Sequence, residues 1–290
     1  MLFGTQTHYA VDKFGLEAGV KLLLDTGYPA IDFSFFGEQE FVHGEDGLEN
    51  ARKLRKMADE RGVIFHQAHA PFGGYLEEFM QKHAHKFPRA FEFAGILGVE
   101  NIIVHPVRPL PRFLGNEKAY FDANVEYFSS IAPLARENGL KIAIENMYGR
   151  NPFTNTIEMG VFGDAKDLAA IYDTLDDPDT FTLCLDLGHA ALCGFDPAEA
   201  IRTLGHDRLG ALHVHDVDFV ADLHTLPGMS KLNWESICRA LGEIDYNGVM
   251  TLEADYFLRN VDLALYPSAM KFMAETAKHL AAKVDSYRVK

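Results

Sequence analysis

The strongest constraint on the fold is a rhythm in the chain. Short apolar runs of strand length alternate with longer stretches whose apolar residues fall at helical spacing, and the alternation recurs about eight times. The strand-like runs are LFGTQT near residue 3, AIDFSF near 32, VIFHQAH near 66, NIIVHPV near 104, KIAIENM near 144, FTLCLDL near 184, GALHVHD near 213 and GVMTLEA near 251. Helical spacing is clearest in GLEAGVKLLLDTG, DGLENARKLRKMADERG, KAYFDANVEYFSSIAPLARENG, DAKDLAAIYDTL, NWESICRALGEI and SAMKFMAETAKHLAAKV. Gly27, Gly62, Gly98, Gly139 and Gly248 sit where a left-handed helix stop or turn into the next strand is expected.

Eight βα units without a Pro/Ser-rich linker or a break in composition predict one α/β domain over residues 1–290, a single closed (β/α)8 TIM barrel. An open doubly wound sheet would carry a GxGxxG turn after its first strand, and the residues there are His8-Tyr9-Ala10-Val11. Hydrophobic residues make up 48% of the chain, enough for the sizeable core such a barrel needs.

Functional groups of this fold lie at the C-terminal ends of its strands, so the side chains at those ends define the candidate site. His69 closes the third run, His105 the fourth, Glu145 the fifth, Asp186 the sixth with His189 just beyond, His213 the seventh and Glu253 the eighth. Alternation along a strand gives Ile103/His105, Ala143/Glu145, Cys184/Asp186, Ala211/His213 and Thr251/Glu253 a shared barrel-facing parity. Three carboxylates and several imidazoles on one axis are costly to bury unless a cation sits among them. Mixed carboxylate and imidazole donors suit one divalent ion, Mn²⁺, Mg²⁺, Co²⁺, Fe²⁺ or Zn²⁺.

Structural roles compete at several of these positions. A strand-ending acid such as Asp186 is also a natural cap for the next helix. Asp216 and Asp218 read equally as ligands or as turn formers. His66 has the opposite strand parity from His69, His83 and His85 fall in helical spacing, and no role follows for these or for His43. Phe35 and Phe72 are candidates for excluding water from the barrel mouth, or for packing.

Charge and cysteine content narrow the function classes. With 27 Lys plus Arg against 42 Asp plus Glu the net charge is −15, which repels phosphate backbones and anionic lipid and makes nucleic acid an unexpected partner. Three cysteines without CxxC spacing suggest neither a disulfide framework nor a thiolate zinc site. No run reaches the roughly 18 apolar residues of a membrane span, and the opening MLFGTQTHYAVDKFG has no signal-like core, so a cytoplasmic location away from membranes is expected.

Five separated segments, IEN at 144–146, LDLGH at 185–189, LHVHD at 212–216, DLHTLPG at 222–228 and LEAD at 252–255, resemble the sugar phosphate isomerase/epimerase group of xylose isomerase-like TIM barrels. The resemblance covers essentially the whole chain. It implies a metal-dependent enzyme of carbohydrate metabolism, an isomerase or epimerase of a sugar, sugar phosphate or polyol ketone working through a metal-bound enediolate. The ligands of the single-metal members, manganese among the candidate ions, fall on Glu145, Asp186, His213 and Glu253. Glu145 and Glu253, reaching the axis from opposite sides, would be general base and acid; His189 would bind substrate, with His69 and His105 at the same mouth.

Two departures qualify the likeness: Asn151 and Asp218 stand where ketohexose epimerases place a glutamate and an arginine, and Pro227-Gly228-Met229-Ser230 replaces PGxG. A free-ketohexose 3-epimerase is therefore disfavoured. The zinc endonuclease IV type of DNA repair enzyme belongs to the same barrel group, and that likeness would add His69, His105, His189, Asp222 and His224 as ligands for up to three zinc ions. A third reading is a non-catalytic or partner-dependent barrel that binds a sugar or glycoside. A sugar-like small molecule is the expected partner, and a homo-oligomer is compatible with the sequence.

Overall fold

In the chain's structure, a computed structural model, residues 1–37, 39–108, 117–151 and 153–288 are described. The strands are β1 (Leu2–Gln6), β2 (Ala30–Ser34), β3 (Ile64–His69), β4 (Asn101–Val104), β5 (Lys141–Glu145), β6 (Tyr148–Arg150), β7 (Ile157–Met159), β8 (Phe181–Asp186), β9 (Leu209–His213) and β10 (Val249–Leu252). Eight of them pair in parallel in the order β10-β1-β2-β3-β4-β5-β8-β9. The ring closes where Val214 N donates to Thr251 O (2.9 Å) and Glu253 N to Val214 O (3.0 Å). β6 and β7 form a separate antiparallel hairpin in the loop that follows β5. The expected (β/α)8 architecture is thus present.

Helices cover the wall, one main helix after each barrel strand: Leu16–Thr26, Gly47–Asp59, Phe87–Leu97, Glu117–Asn138, Ala165–Leu175, Pro197–Arg208, Trp234–Glu243 and Tyr266–Ser286. The apolar spacing explains which face packs inward. Trp234–Glu243 buries Trp234, Ile237, Cys238, Ala240 and Leu241, and its first turn is closed by Asn233 Oδ1 accepting from Ser236 N at 3.1 Å. Full burial of side chains such as Ile237 and Leu241 contributes about 1.5–3 kcal/mol each.

Gly27, Gly62, Gly98 and Gly139 adopt positive φ (102°, 66°, 75° and 68°), as their positions require. Gly248 does not. The left-handed residue after that helix is Asp245 (φ 52°), and Gly248 instead leaves room for the Tyr246 hydroxyl.

Two register shifts aim the interior side chains. Between β2 and β3 the pairing passes from Ile31↔Phe65 to Asp32↔Gln67, leaving His66 as the extra residue. Between β8 and β9 it passes from Leu183↔Leu209 to Cys184↔Ala211, which puts Asp186 opposite His213. Inside the barrel, Ile103, Ala143, Cys184 and Ala211 form a fully buried apolar plug, separate from the main core between strands and helices. Among the described residues no helix is long and apolar enough to cross a membrane, and the three cysteines are free of disulfides.

Candidate metal centre and active site

One side-chain repeat above the plug the chemistry of the wall changes. Glu145, Asp186, His213 and Glu253 are all buried, and their nearest ligand atoms lie within 4.8 Å of one another. His213 Nδ1 is 2.9 Å from Glu145 Oε1 and 3.2 Å from Glu253 Oε2. His105 Nε2 lies 3.0 Å from Glu145 Oε2, and His69 Nε2 3.0 Å from His105 Nε2. Below, Gln67 Nε2 donates to Asp32 Oδ2 (2.8 Å), which is 3.7 Å from His213 Nε2, and Thr251 Oγ1 donates to Gln67 Oε1 (3.2 Å). Asp32 therefore faces the ring nitrogen of His213 that points away from the cluster, the place from which a carboxylate orients a metal-binding imidazole.

A second group stands at the rim. Ligand atoms of His189, His215, Asp222 and His224 also lie within 4.8 Å of one another. His215 Nε2 is 3.1 Å from both oxygens of Asp186, its ring stacks on His224 at 4.2 Å, and it occupies the space that a side chain at Gly188 would take. His224 Nε2 is 3.0 Å from Asp222 Oδ2, and the Tyr148 ring from the hairpin packs 5.1 Å from His189. The loop carrying Asp222 and His224 is tied down by buried Asp216, which accepts from Gly228 N (2.8 Å), Ser230 N (3.1 Å), Leu232 N (3.0 Å) and Trp234 Nε1 (2.9 Å).

No lysine or arginine among the described residues pairs with these acids, so imidazoles alone balance them. Burial pushes the Glu145 carboxyl up, but His213 and His105 outweigh it and hold it well below the usual range. Glu253 goes the other way: burial raises it in spite of His213 and His224. Asp186 is held at about 2 by His189 and His215 against the same burial cost. Burial lowers His224, yet Asp222 and Glu253 bring it up to about 10. Asp222 Oδ1 is buried with no hydrogen-bond donor, and Glu145 Oε2 meets only the imidazole nitrogens of His105 and His69. Converging carboxylate and imidazole donors with an unsatisfied acceptor fit a divalent cation, which would take over the charge balance now carried by protons.

The family described as Xylose isomerase-like TIM barrel matches residues 20–276. The chain belongs to that family. Uncharacterized protein MJ1311 of Methanocaldococcus jannaschii is 28% identical over 213 residues, 71% of this chain and 69% of that protein. Among solved structures, a D-tagatose 3-epimerase-like protein superposes with a TM-score of 0.72 at 22% identity, covering 98% of this chain and 100% of the other. The IOLI protein, solved with a zinc atom, superposes with a TM-score of 0.71 at 17% identity over 100% of both chains.

Within this xylose isomerase-like barrel all nine strand-end and loop residues picked out from the sequence converge on one mouth: Glu145, Asp186, His213 and Glu253 at the bottom, His69 and His105 beside them, and His189, Asp222 and His224 at the rim. Asp186 lies in the cluster and also caps the next helix, Oδ1 accepting from His189 N at 2.6 Å. Glu145 and Glu253 are not diametrically opposed; β5 and β10 are three places apart in a ring of eight, with His213 between them. Phe35 is not at the mouth. It packs in the core against Phe33 and Phe93, and the next residue, Phe36, meets His69 at 4.8 Å and Phe72 at 5.2 Å. Phe72, 40% exposed, does stand at the mouth, 4.5 Å from the His105 ring.

The bland readings hold elsewhere. His66 turns outward, 3.6 Å from Glu100, His83 stacks on Phe79, and His43 ends the short helix Glu40–His43. Asn151 and Asp218 are turn residues, Asn151 Oδ1 accepting from Phe153 N and Thr154 N, and Asp218 Oδ1 from Val220 N and Ala221 N. Sequence reasoning missed His215, Asp32 and Tyr148. His215 shares the parity of His213 two residues earlier, and Asp32 is an acid inside an apolar strand, so both carried a readable signal.

Proposed function

We propose that the chain is a divalent-metal-dependent isomerase or epimerase of a sugar or sugar-like polyol ketone. The observation that carries this reading is the buried set of three carboxylates and one imidazole at the C-terminal end of the barrel, with no cationic side chain among them. The similarity to a D-tagatose 3-epimerase-like protein and to a zinc-holding IOLI protein supports it. Glu145, Asp186, His213 and Glu253 would hold the ion. When bound, it would polarise a carbonyl and the neighbouring hydroxyl and lower the cost of removing a carbon-bound proton.

The remaining steps belong to the chain. Glu145, kept ionised by His213 and His105, is placed to accept the proton, and Glu253, on the other side of His213, to return one. His189, its Nδ1 held 2.9 Å from Asn146 O, offers Nε2 to a substrate hydroxyl. Phe36 and Phe72 exclude water from the side of His69 and His105. The test is solvent deuterium incorporation into a panel of ketoses, aldoses, inososes and their phosphates, read by mass spectrometry on protein stripped and reloaded with each ion. Exchange next to the carbonyl, only in the loaded protein, is expected; none across the panel would overturn the reading.

A second reading, an endonuclease IV-like phosphodiesterase with up to three zinc ions, draws on the two further ligand groups, His69, His105 and Glu145, and His189, His215, Asp222 and His224. The net charge of −15 weighs against a DNA substrate. Counting ions by anomalous scattering and assaying cleavage of abasic-site DNA separate the two: one ion and no cleavage supports the isomerase.

A further inference from the structure

Beside the cluster, a cavity of about 220 Å³ opens among the loops after β3, β4 and β5, its walls including Phe72, His105, Pro106, Arg108, Met147 and Val161. Most of this lining is apolar. His105 connects the cavity to the reaction centre, through its 3.0 Å approach to Glu145. Gly73 and Gly74 add a stretch of wall without side chains: a Cβ at Gly73 would run into the His83 ring, and Gly74 has a φ of 44°.

Arg108 is out of place in such a lining. The other described arginines each meet a carboxylate, a backbone carbonyl or an aromatic ring. Among the described residues Arg108, half-buried, has no such side-chain partner. In a chain with 42 acids and 27 bases, acids are plentiful as partners, yet none among the described residues pairs with this guanidinium. A planar, permanently charged donor fork on a residue that lines a mostly apolar cavity is suited to recognise a carboxylate or a phosphoryl group.

We propose that Arg108 binds an oxyanion carried by the substrate on the end of its carbon chain remote from the carbonyl, so that the substrate class is an acidic sugar, phosphorylated or carboxylated, rather than a neutral one. The inference rests on the isomerase reading of the adjoining cluster. The carbonyl end meets Glu145 and Glu253, the chain passes His105 and Phe72, and the anion reaches Arg108.

The experiment compares metal-loaded wild type with Arg108→Gln and Arg108→Lys on matched substrates: a neutral hexulose, its 6-phosphate and the corresponding hexuronate. The readout is kcat/KM for deuterium exchange. Wild type should prefer one anionic member, the phosphate or the uronate identifying the group. Arg108→Gln should lose on the order of 10- to 100-fold on that member with the neutral sugar unchanged, and Arg108→Lys should recover part of the loss. Equal rates on neutral and anionic members in wild type, or an anionic preference that survives in Arg108→Gln, would overturn the proposal while leaving the isomerase reading intact.

Titration of inorganic phosphate into the magnesium-loaded protein, followed by ³¹P NMR, gives a readout independent of turnover. If no sugar exchanges, the isomerase reading falls. Weaker phosphate binding by Arg108→Gln than by wild type would then still support the anion site, and equal binding would overturn it.

Discussion

Ile103, Ala143, Cys184 and Ala211 close the barrel interior with apolar contact alone, whereas Glu145, Asp186 and His213, one repeat further along three of the same strands, join Glu253 in a crowd of ionisable groups. Both layers are buried, and strand alternation aims both at the axis. They differ in what satisfies them. The plug is complete as it stands, because methyl and thiol groups need only close neighbours. The layer above leaves His213 Nε2 without a hydrogen bond, its nearest acid Asp32 3.7 Å away, and a buried group so placed costs about 1–3 kcal/mol. Two adjacent floors of one structure thus differ in kind, the lower packed and apolar, the upper a crowd of ionisable groups able to hold a metal.

The contrast is testable by perturbing each floor and reading both properties. The largest effect is expected for Glu253→Gln, which keeps size and one oxygen donor but cannot carry the proton. Turnover at saturating metal should fall by about 10² to 10⁴, with thermal unfolding close to wild type. Exchange of the substrate hydrogen at the parent rate would reduce Glu253 to a ligand. Next comes Ile103→Ala in the plug, which should cost about 2–5 kcal/mol in urea unfolding while leaving metal stoichiometry unchanged. Loss of the ion in that variant would break the separation of the floors.

Asp32→Asn should weaken metal binding by roughly 10- to 100-fold, as loss of an orienting carboxylate does, with little change in fold. Unchanged affinity, measured by competition with a chromophoric chelator, would remove Asp32 from the site. The smallest effect concerns acid. The Asp186 carboxyl lies at about 2 against an ordinary 3.8, so the metal-free protein has this contribution above pH 3.8 and loses it as pH falls through about 2. The loss is on the order of 2 kcal/mol. It should be absent in Asp186→Asn and intact in Ile103→Ala; an equal loss in Asp186→Asn would locate the acid sensitivity elsewhere.

Both floors were legible in the sequence because period-two alternation is a strong signal and the site residues sit at strand ends, where parity decides direction. Legibility failed where direction is set by something other than the strand. Phe35 belongs to the core and Phe36 to the mouth because the chain leaves β2 after Ser34, and a one-residue choice at a strand end is not written in the local pattern. Gly248 was misread for a related reason: its helix ends at Glu243, so the left-handed turn comes earlier, at Asp245. The hairpin of β6 and β7 has only three residues per strand, too few for alternation to register, so the part Tyr148 plays beside His189 could not be foreseen. At Asp186 the competing expectations of helix cap and site residue were never exclusive, since one carboxylate has lone pairs enough for both.

That shared carboxylate makes the amide of His189 an intrinsic reporter. Its nitrogen lies 2.6 Å from Asp186 Oδ1 at the start of the helix Leu187–Leu192, so any cation drawing electron density from Asp186 would change the field felt by a single backbone N–H. In a ¹⁵N-labelled sample this one resonance would shift as the centre fills. Occupancy could then be followed before any substrate is known.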